Sequence, residues 1–445
     1  MSAAPTIDWV NHASFVVRRG DVGLLTDPWL VGTAFDDGWA LHSPTQLGPE
    51  VLDAITHIWV SHEHPDHFSP GSLRTIPEER RGDIEVLYQP TKDRKVLQFC
   101  AKMGFKTREL EAHRWTPIGS DVSVWVAPWS SGDSILAVRT PEQTLLNVND
   151  AVVHHAATLN LLRKHLDGAE VDVLLTQFSY ANWEGNPDDV ERRRAAAAAK
   201  LDALVAQVHA FSPKQVVPFA SFVYFCHEEN HYLNDAANRV GDAVAAIEGR
   251  TGAEAVVLYP GDRWVVGEPH ANASAIERYD ADVDAALASE ELVTSPAVQL
   301  PELQELAQQF LADLRERNGA RVIDAMGRVH VLQDAHLWLS DLGRAVRFGV
   351  DGLHPAPEHR DEGSCDFVLG SESLAFCFRF LYGGSTLAVN GRFREPAGGD
   401  PARFKRYLQI SALNNRGVTV LGSGPEVAKK VGRVALDRVA ELRAR

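Results

Sequence analysis

Cysteine is scarce in this chain of 445 residues. The four, Cys100, Cys226, Cys365 and Cys377, stand far apart, and no Cys-x-x-Cys pair occurs. That spacing excludes a zinc knuckle and a cysteine-ligated iron–sulfur centre, and it leaves free thiols suited to a reducing cytoplasm. Basic charge is short as well: 44 Lys and Arg face 60 Asp and Glu, a formal net charge of −16. Phosphate backbones repel such a surface, so nucleic acid is not an expected partner. No apolar stretch approaches the roughly 20 residues of a membrane span. Met1-Ser2-Ala3-Ala4-Pro5 lacks the charged-then-apolar order of a signal segment. The expectation is a cytoplasmic protein with no membrane partner. Hydrophobic residues at 45% and charged residues at 23% are those of a soluble globular chain, and the length calls for two domains.

What the chain does contain is concentrated in Ser61-His62-Glu63-His64-Pro65-Asp66-His67-Phe68. Three imidazoles and two carboxylates fall within six residues, directly after the apolar run Ile58-Trp59-Val60. A strand ending in such a turn delivers its side chains to one rim of a sheet. His62 and His64, two apart, point to one side if strand geometry persists. Asp66 and His67 lie past a proline that disfavours helix at the residue before it, and swing to a second point. Two nitrogens for one cation and a nitrogen–oxygen pair for its neighbour is the natural reading, against a loop rich in histidine by chance.

Around this stretch the chain alternates. Strands are expected at 7–10, 13–17 and 23–27, a hairpin closed by Asp27-Pro28-Trp29. Asp27 either receives a histidine N–H beside the cluster or initiates a turn before proline. Residues 32–39 form a glycine- and aromatic-bearing loop expected to overhang the metal rim. Helices at 70–77 and 91–104 flank a strand at 84–88, and strands follow at 121–129, 134–139 and 145–148. Asp150, just past the last of these, is the second strong site candidate, its alternative being a strand-terminating turn. A helix at 157–168, a strand at 171–176 and the loop 177–185, a candidate substrate lid, come next. The alanine-rich helix over 188–211 carries Arg192, Arg193 and Arg194, read as solvated charge. The strand 215–220 leads to Cys226-His227-Glu228-Glu229-Asn230-His231, where His227 is favoured over His231 as a metal ligand.

A strand at 255–259 closes a metal-binding catalytic domain over residues 1–268. Residues 269–299 read as a helical linker, and 300–445 as an α+β domain. Its expected elements are a helix at 300–326, strands at 328–333 and 345–350, a helix at 371–382, a turn and strand at 383–393, and helices at 401–414 and 425–445. No metal or nucleophile constellation is seen there. Its pattern is similar to sterol-carrier-like domains, and dimerisation or covering of substrate is its expected role.

His62-Glu63-His64-Pro65-Asp66-His67 resembles the first metal motif of the metallo-β-lactamase superfamily. The resemblance implies an α/β architecture, an αββα sandwich with a one- or two-metal centre, followed here by the smaller α+β region. It also implies that Asp150 bridges both metals. The segment from Leu25-Thr26-Asp27-Pro28-Trp29 to Trp39 looks like the catalytic domain of CMP-N-acetylneuraminate hydroxylases. So do Leu145-Leu146-Asn147-Val148-Asn149-Asp150 and Pro218-Phe219-Ala220 leading to His227, over residues 5–265 in all. This resemblance implies iron oxygenase chemistry, with electrons received through a Rieske centre and an N-acyl sugar nucleotide hydroxylated.

The chain departs from both patterns. Rieske Cys-x-His and Cys-x-x-His pairs are absent, so a separate electron donor is expected. The superfamily's third-motif histidine is missing, and Trp129-Ser130-Ser131-Gly132-Asp133 stands in its place. Asp133 either substitutes for it or is a turn aspartate beside Gly132. A carboxylate in place of imidazole makes a site harder and more open, which suits Fe or Mn better than a tight zinc site.

Two readings of function follow, both with two metal ions. In the first, iron is favoured, and an O₂-dependent oxygenase acts on a small polar metabolite. His62, His64, Asp150 and Asp133 hold one iron, and Asp66, His67, His227 and Asp150 the other; a ferredoxin or Rieske-type protein donates electrons. In the second, a zinc- or manganese-dependent metallohydrolase activates water against a phosphoester, lactone or amide, with Asp66 orienting that water. A degenerate scaffold is a third, minor reading. The oxygenase is preferred, and a homodimer is left open.

Overall fold

Two seven-stranded sheets and one five-stranded sheet organise the chain. The computed structural model describes residues 4–129, 132–151 and 153–422, so the helix expected at 425–445 lies outside the described residues. The first sheet runs Arg263–Val265, Thr6–Asn11, Ser14–Arg19, Val22–Thr26, His57–Trp59, Glu85–Tyr88, Lys106–Glu109. The second runs Glu254–Ala255, Gln215–Phe219, Val173–Gln177, Thr144–Asn149, Ser134–Arg139, Ser123–Pro128, Thr116–Pro117.

The central strands are rich in Val, Leu, Ile and Trp and buried on both faces, as sheets covered on both sides require. Their inner faces meet: Trp9, Phe15, Leu24 and Trp59 share one core with Val124, Leu136, Leu146, Leu174 and Val216. Trp9, Trp59 and Trp125 are fully buried. At roughly 25 cal/mol per Å² over about 200 Å², each contributes about 5 kcal/mol before entropy is counted. Outside the first sheet, Val16, Leu25, Ile58 and Val86 pack on Leu73, Val96 and Leu97 of helices Pro70–Thr75 and Lys95–Lys102. Helices Ala156–His165, Val190–Phe211 and Val240–Arg250 cover the second sheet. The result is an αββα sandwich.

Strand direction creates the rim where chemistry gathers. His57–Trp59 runs parallel to Val22–Thr26 and to Glu85–Tyr88, and Thr144–Asn149 runs parallel to Val173–Gln177. The residues at or just past the ends of these strands are Asp27, the 61–67 stretch, Asp150 and Gln177. Ligand sites form at such carboxyl ends because the chain there is free to turn.

The five-stranded sheet, Gly352–Pro355, Arg344–Gly349, Ala335–Leu339, Phe367–Leu369, Phe393–Arg394, packs with Leu300–Asn318, Ser371–Arg379 and Ala402–Asn415 into an α+β unit. Its core is shared: Phe310, Phe348, Phe367 and Phe404 belong to one apolar cluster with Trp29, Phe35, Trp39, Tyr180 and Trp183 from the sandwich loops.

Several local expectations need correction. The helix expected at 300–326 breaks at Gly319, whose φ of +88° is left-handed, and continues as Ala320–Arg328. The strand expected at 328–333 therefore starts only at Ala335. Residues 383–390 are helical, not a turn and strand. Gly383 serves close packing there, since a Cβ would sit 2.6 Å from Cys377 Cα. Of the strand expected at 255–259, only Ala255 is in a strand, the two-residue Glu254–Ala255. The 177–185 loop is not an open lid: Tyr180 and Trp183 are buried, and Trp183 stacks on Phe393 at 4.6 Å. Arg193 is not solvated but forks onto Asp235 at 2.6 and 2.7 Å. All four cysteines are free and buried. Among the described residues, no helix is long and apolar enough to cross a membrane.

Candidate metal centre

The 61–67 stretch is a turn and not a strand extension. Pairing stops at Trp59, and the amides of His67 and Phe68 both donate to the His64 carbonyl, at 3.0 and 2.7 Å. His62 and His64 meet through this turn, His62 Nε2 lying 2.9 Å from His64 Nδ1. Ser61 sets the entry. Its amide donates to Asp27 Oδ1 at 2.7 Å, and its carbonyl accepts from Gln89 Nε2 at 3.0 Å and Ser134 Oγ at 2.6 Å.

Asp133 and Asp150 arrive at the same point from the second sheet. His62 Nε2 lies 3.8 Å from Asp133 Oδ1 and 3.7 Å from Asp150 Oδ2. On the other side, His67 Nε2 lies 3.1 Å from Asp66 Oδ2 and 3.2 Å from that same Asp150 oxygen. Asp150 thus faces both halves of the cluster. Gln177 Nε2 donates to its other oxygen at 2.5 Å, and Lys200 Nζ donates to Gln177 Oε1 at 3.1 Å.

Electrostatics sharpen the picture. Burial disfavours charge on His67, yet Asp66, Asp150 and Asp27 outweigh it and hold the imidazolium well above the ordinary range. Burial likewise opposes charge on Asp66 and Asp150, but His67 and its imidazole neighbours draw both carboxyls down. Asp133 goes the other way: burial and the Asp150 charge push it up to about 7. His62 is held neutral by burial and by the other two rings.

These residues fit a metal. Ligand atoms of His62, His67 and Asp150 lie within 4.8 Å of one another, as do those of His12, Asp66 and His67. His67 Nε2 and Asp66 Oδ1 are buried, and neither has a well-aligned hydrogen bond among the described residues. Buried polar atoms left in this state are costly unless something else occupies the space between them.

Asp27 stands directly behind. Its Oδ2 accepts from His67 Nδ1 at 3.0 Å and from Asn149 Nδ2 at 3.3 Å, which turns His67 Nε2 toward Asp66 and Asp150. The price of that placement is a left-handed φ of +36°. Asp27→Asn keeps a carbonyl acceptor but loses the charge. We expect it to weaken divalent metal affinity about tenfold, read by competition with a chelating dye.

His227 is not brought to this cluster. After Gln215–Phe219 the chain turns at Ala220, φ +51°, and Val223–Phe225 pairs with Trp39–Leu41. His227 is thereby carried to Ser295, with Nε2 at 3.1 Å from Ser295 Oγ and Nδ1 accepting from the Glu229 amide at 3.2 Å. Both ring nitrogens are committed. Burial and the Arg392 charge lower its pKa to about 4, so the ring is neutral. His231 is half-buried beyond it, its amide bonded to the His227 carbonyl.

The residue missed in the sequence is His12. It is 1% exposed, its Nδ1 accepts from the Phe222 amide at 3.3 Å, and its Nε2 lies 3.5 Å from Asp66 Oδ2. With Nδ1 taken by that amide, Nε2 is the ring nitrogen left facing Asp66. Only its place in the first β-turn, beside Asn11 and before an apolar strand, marked it in the chain.

A His/Asp cluster on the strand-end rim of an αββα sandwich defines a metal-dependent enzyme. Residues 6–176 match the family described as "Beta-lactamase superfamily domain", so this part of the chain is similar to the metallo-β-lactamase superfamily. It is 27% identical over 242 residues to a protein of Mycolicibacterium smegmatis named as a Rieske 2Fe-2S iron-sulfur protein, covering 51% of this chain and 45% of that one. It is 23% identical over 252 residues to the cytidine monophosphate-N-acetylneuraminic acid hydroxylase of Danio rerio, covering 52% and 40%. The chain therefore spans less than half the length of these curated relatives. Among solved structures it is similar to CmlA, a diiron beta-hydroxylase from Streptomyces venezuelae, at 14% identity and a TM-score of 0.41, covering 60% of this chain and 55% of that one.

Proposed function

We propose that the protein is a dinuclear iron oxygenase acting on a small polar metabolite, with electrons from a separate ferredoxin or Rieske-type protein. The observation that carries the reading is Asp133. A buried carboxylate, 3.8 Å from His62 Nε2, stands where a third imidazole would make a softer site. Two carboxylates and two imidazoles about one position favour iron over zinc. The names of the relatives, a Rieske protein and a hydroxylase, support the same reading.

In this reading His62, His64, Asp133 and Asp150 hold one metal, while Asp66, His67 and Asp150 hold the other. Bound iron would supply the redox chemistry with O₂. The chain's own residues set the frame: Asp27 and His12 orient His67 and Asp66, and Gln177 fixes Asp150 between the two positions. The catalytic unit is residues 1–268, and 300–445 is a second domain.

Metal content is the test. Protein from iron- and zinc-supplied medium should hold near two irons per chain, show a coupled diiron spectrum, and consume O₂ when given a reductant. Zinc or manganese without iron, with anaerobic turnover of a phosphodiester, lactone or amide, would replace this reading by a metallohydrolase.

A further inference from the structure

Residues 33–39 wall the cluster on the His64 side, and their backbone is unusual. Phe35, Asp36 and Asp37 have φ of +54°, +56° and +55°, three successive non-glycine residues in the left-handed region. Residues with a Cβ rarely adopt this conformation even singly, so a run of three needs outside support. Inside the run, the Phe35 ring meets the His64 imidazole edge-on at 5.5 Å and the Trp39 ring at 4.7 Å.

The support comes from the other end of the chain. Asn390 Nδ2 donates to the Phe35 carbonyl at 3.0 Å, and Arg392 Nη1 donates to the Asp36 carbonyl at 2.7 Å and its carboxylate at 3.2 Å. Asn230 ties the two together, its Nδ2 donating to the Gly38 and Asn390 carbonyls at 2.9 and 2.7 Å. Gly38 is required by the same contact: a Cβ there would lie 2.4 Å from Asn390 Cβ. Arg392 is 1% exposed and further bonded to Glu229 Oε2 at 2.8 Å and Ser295 Oγ at 2.9 Å, with Glu372 Oε2 at 3.4 Å. Ser295 also holds His227, which gives that histidine its place.

We propose that Asn390 and Arg392 are positioning residues for the metal centre, holding the left-handed 35–37 run so that Phe35 fixes the His64 imidazole. The C-terminal unit then completes the site through a loop, without supplying a ligand. The proposal rests on the reading of His64 as a metal ligand, and the test separates the two.

The probe is Co²⁺ alone, titrated into the full-length protein and followed by its visible absorption. Arg392→Gln leaves Asp36, Glu229 and Glu372 facing one another and endangers folding, so Asn390→Ala is the primary variant. Asn390→Ala should keep the wild-type far-UV circular dichroism yet bind Co²⁺ about tenfold more weakly and with altered band positions. Phe35→Leu should reproduce the spectral change, and the double variant should add little to either, as coupled positions do. A folded Asn390→Ala with wild-type affinity and spectrum would overturn the proposal while leaving the metal reading intact. Wild-type protein that binds no Co²⁺ would overturn both.

Discussion

Replacing Asp150 with alanine is expected to strip the centre of metal. Asp150 Oδ2 lies 3.2 Å from His67 Nε2 and 3.7 Å from His62 Nε2, so in the proposed two-metal centre both positions lose a ligand at once. A four-ligand structural zinc site is worth about 10–16 kcal/mol, or about 2.5–4 kcal/mol per ligand, a factor of about 10²–10³ in affinity. Losses of that size at each position should leave little metal after dialysis against a weak chelator, and activity should fall with it. Asp150→Asn is the control. It preserves size and the acceptor that Gln177 uses at 2.5 Å, but not the charge. If the asparagine variant loses metal as the alanine variant does, charge is what matters and not packing. Retention of two metals by Asp150→Ala would show that the cluster is not organised around this carboxylate. Acidity should act in the same direction as the substitution. His67 is held protonated against its burial by Asp66, Asp150 and Asp27, so cation binding must expel that proton, and affinity should fall as pH is lowered.

Replacing His12 with alanine should weaken metal binding by up to about 100-fold, whereas His227→Ala should leave it within a factor of about two. The contrast follows from where each ring points. His12 Nε2 is aimed at Asp66 Oδ2 from 3.5 Å, and the other neighbour of that oxygen, His67 Nε2 at 3.1 Å, is itself a candidate ligand, so His12 is the group left to orient the carboxylate once a metal is bound. His227 is bonded to Ser295 and the Glu229 amide instead. Its removal should cost stability in urea unfolding, about 1–3 kcal/mol for unpaired buried partners, without moving the metal isotherm. Equal loss of affinity in the two variants would mean that His227 reaches the centre in solution and that the assignment of His12 is wrong.

Much of the site was readable as a string because its residues are local. His62, His64, Asp66 and His67 lie in one turn, and their chemistry follows from spacing alone. Asp150 was readable as a candidate because it borders an apolar strand, and strand ends are where a sheet presents side chains; Asp133 was left between a substitute ligand and a turn aspartate beside Gly132. Asp27 was only half readable, since a turn aspartate before proline and a histidine partner look the same in one dimension. His227 failed for a definite reason. The strand before it does end near the rim, but Val223–Phe225 pairs with Trp39–Leu41 and draws the chain away. The helix at Gly383–Asn390 failed similarly, because two adjacent glycines look like a turn until Gly383 is seen against Cys377.

By itself, then, the amino-acid sequence determined the alternation of strands and helices and the His/Asp turn, because hydrophobic periodicity and ligand spacing act over a few residues; the αββα sandwich was implied by the resemblance of the His62–His67 motif. Only the tertiary structure decided that His12 stands behind Asp66, that His227 is carried to Ser295, and that Asn390 and Arg392 hold the loop bearing Phe35. Those contacts join residues as many as 356 positions apart. Their partners are selected by packing in three dimensions, where strand pairing and shared apolar cores, and not neighbouring residues, set the distances.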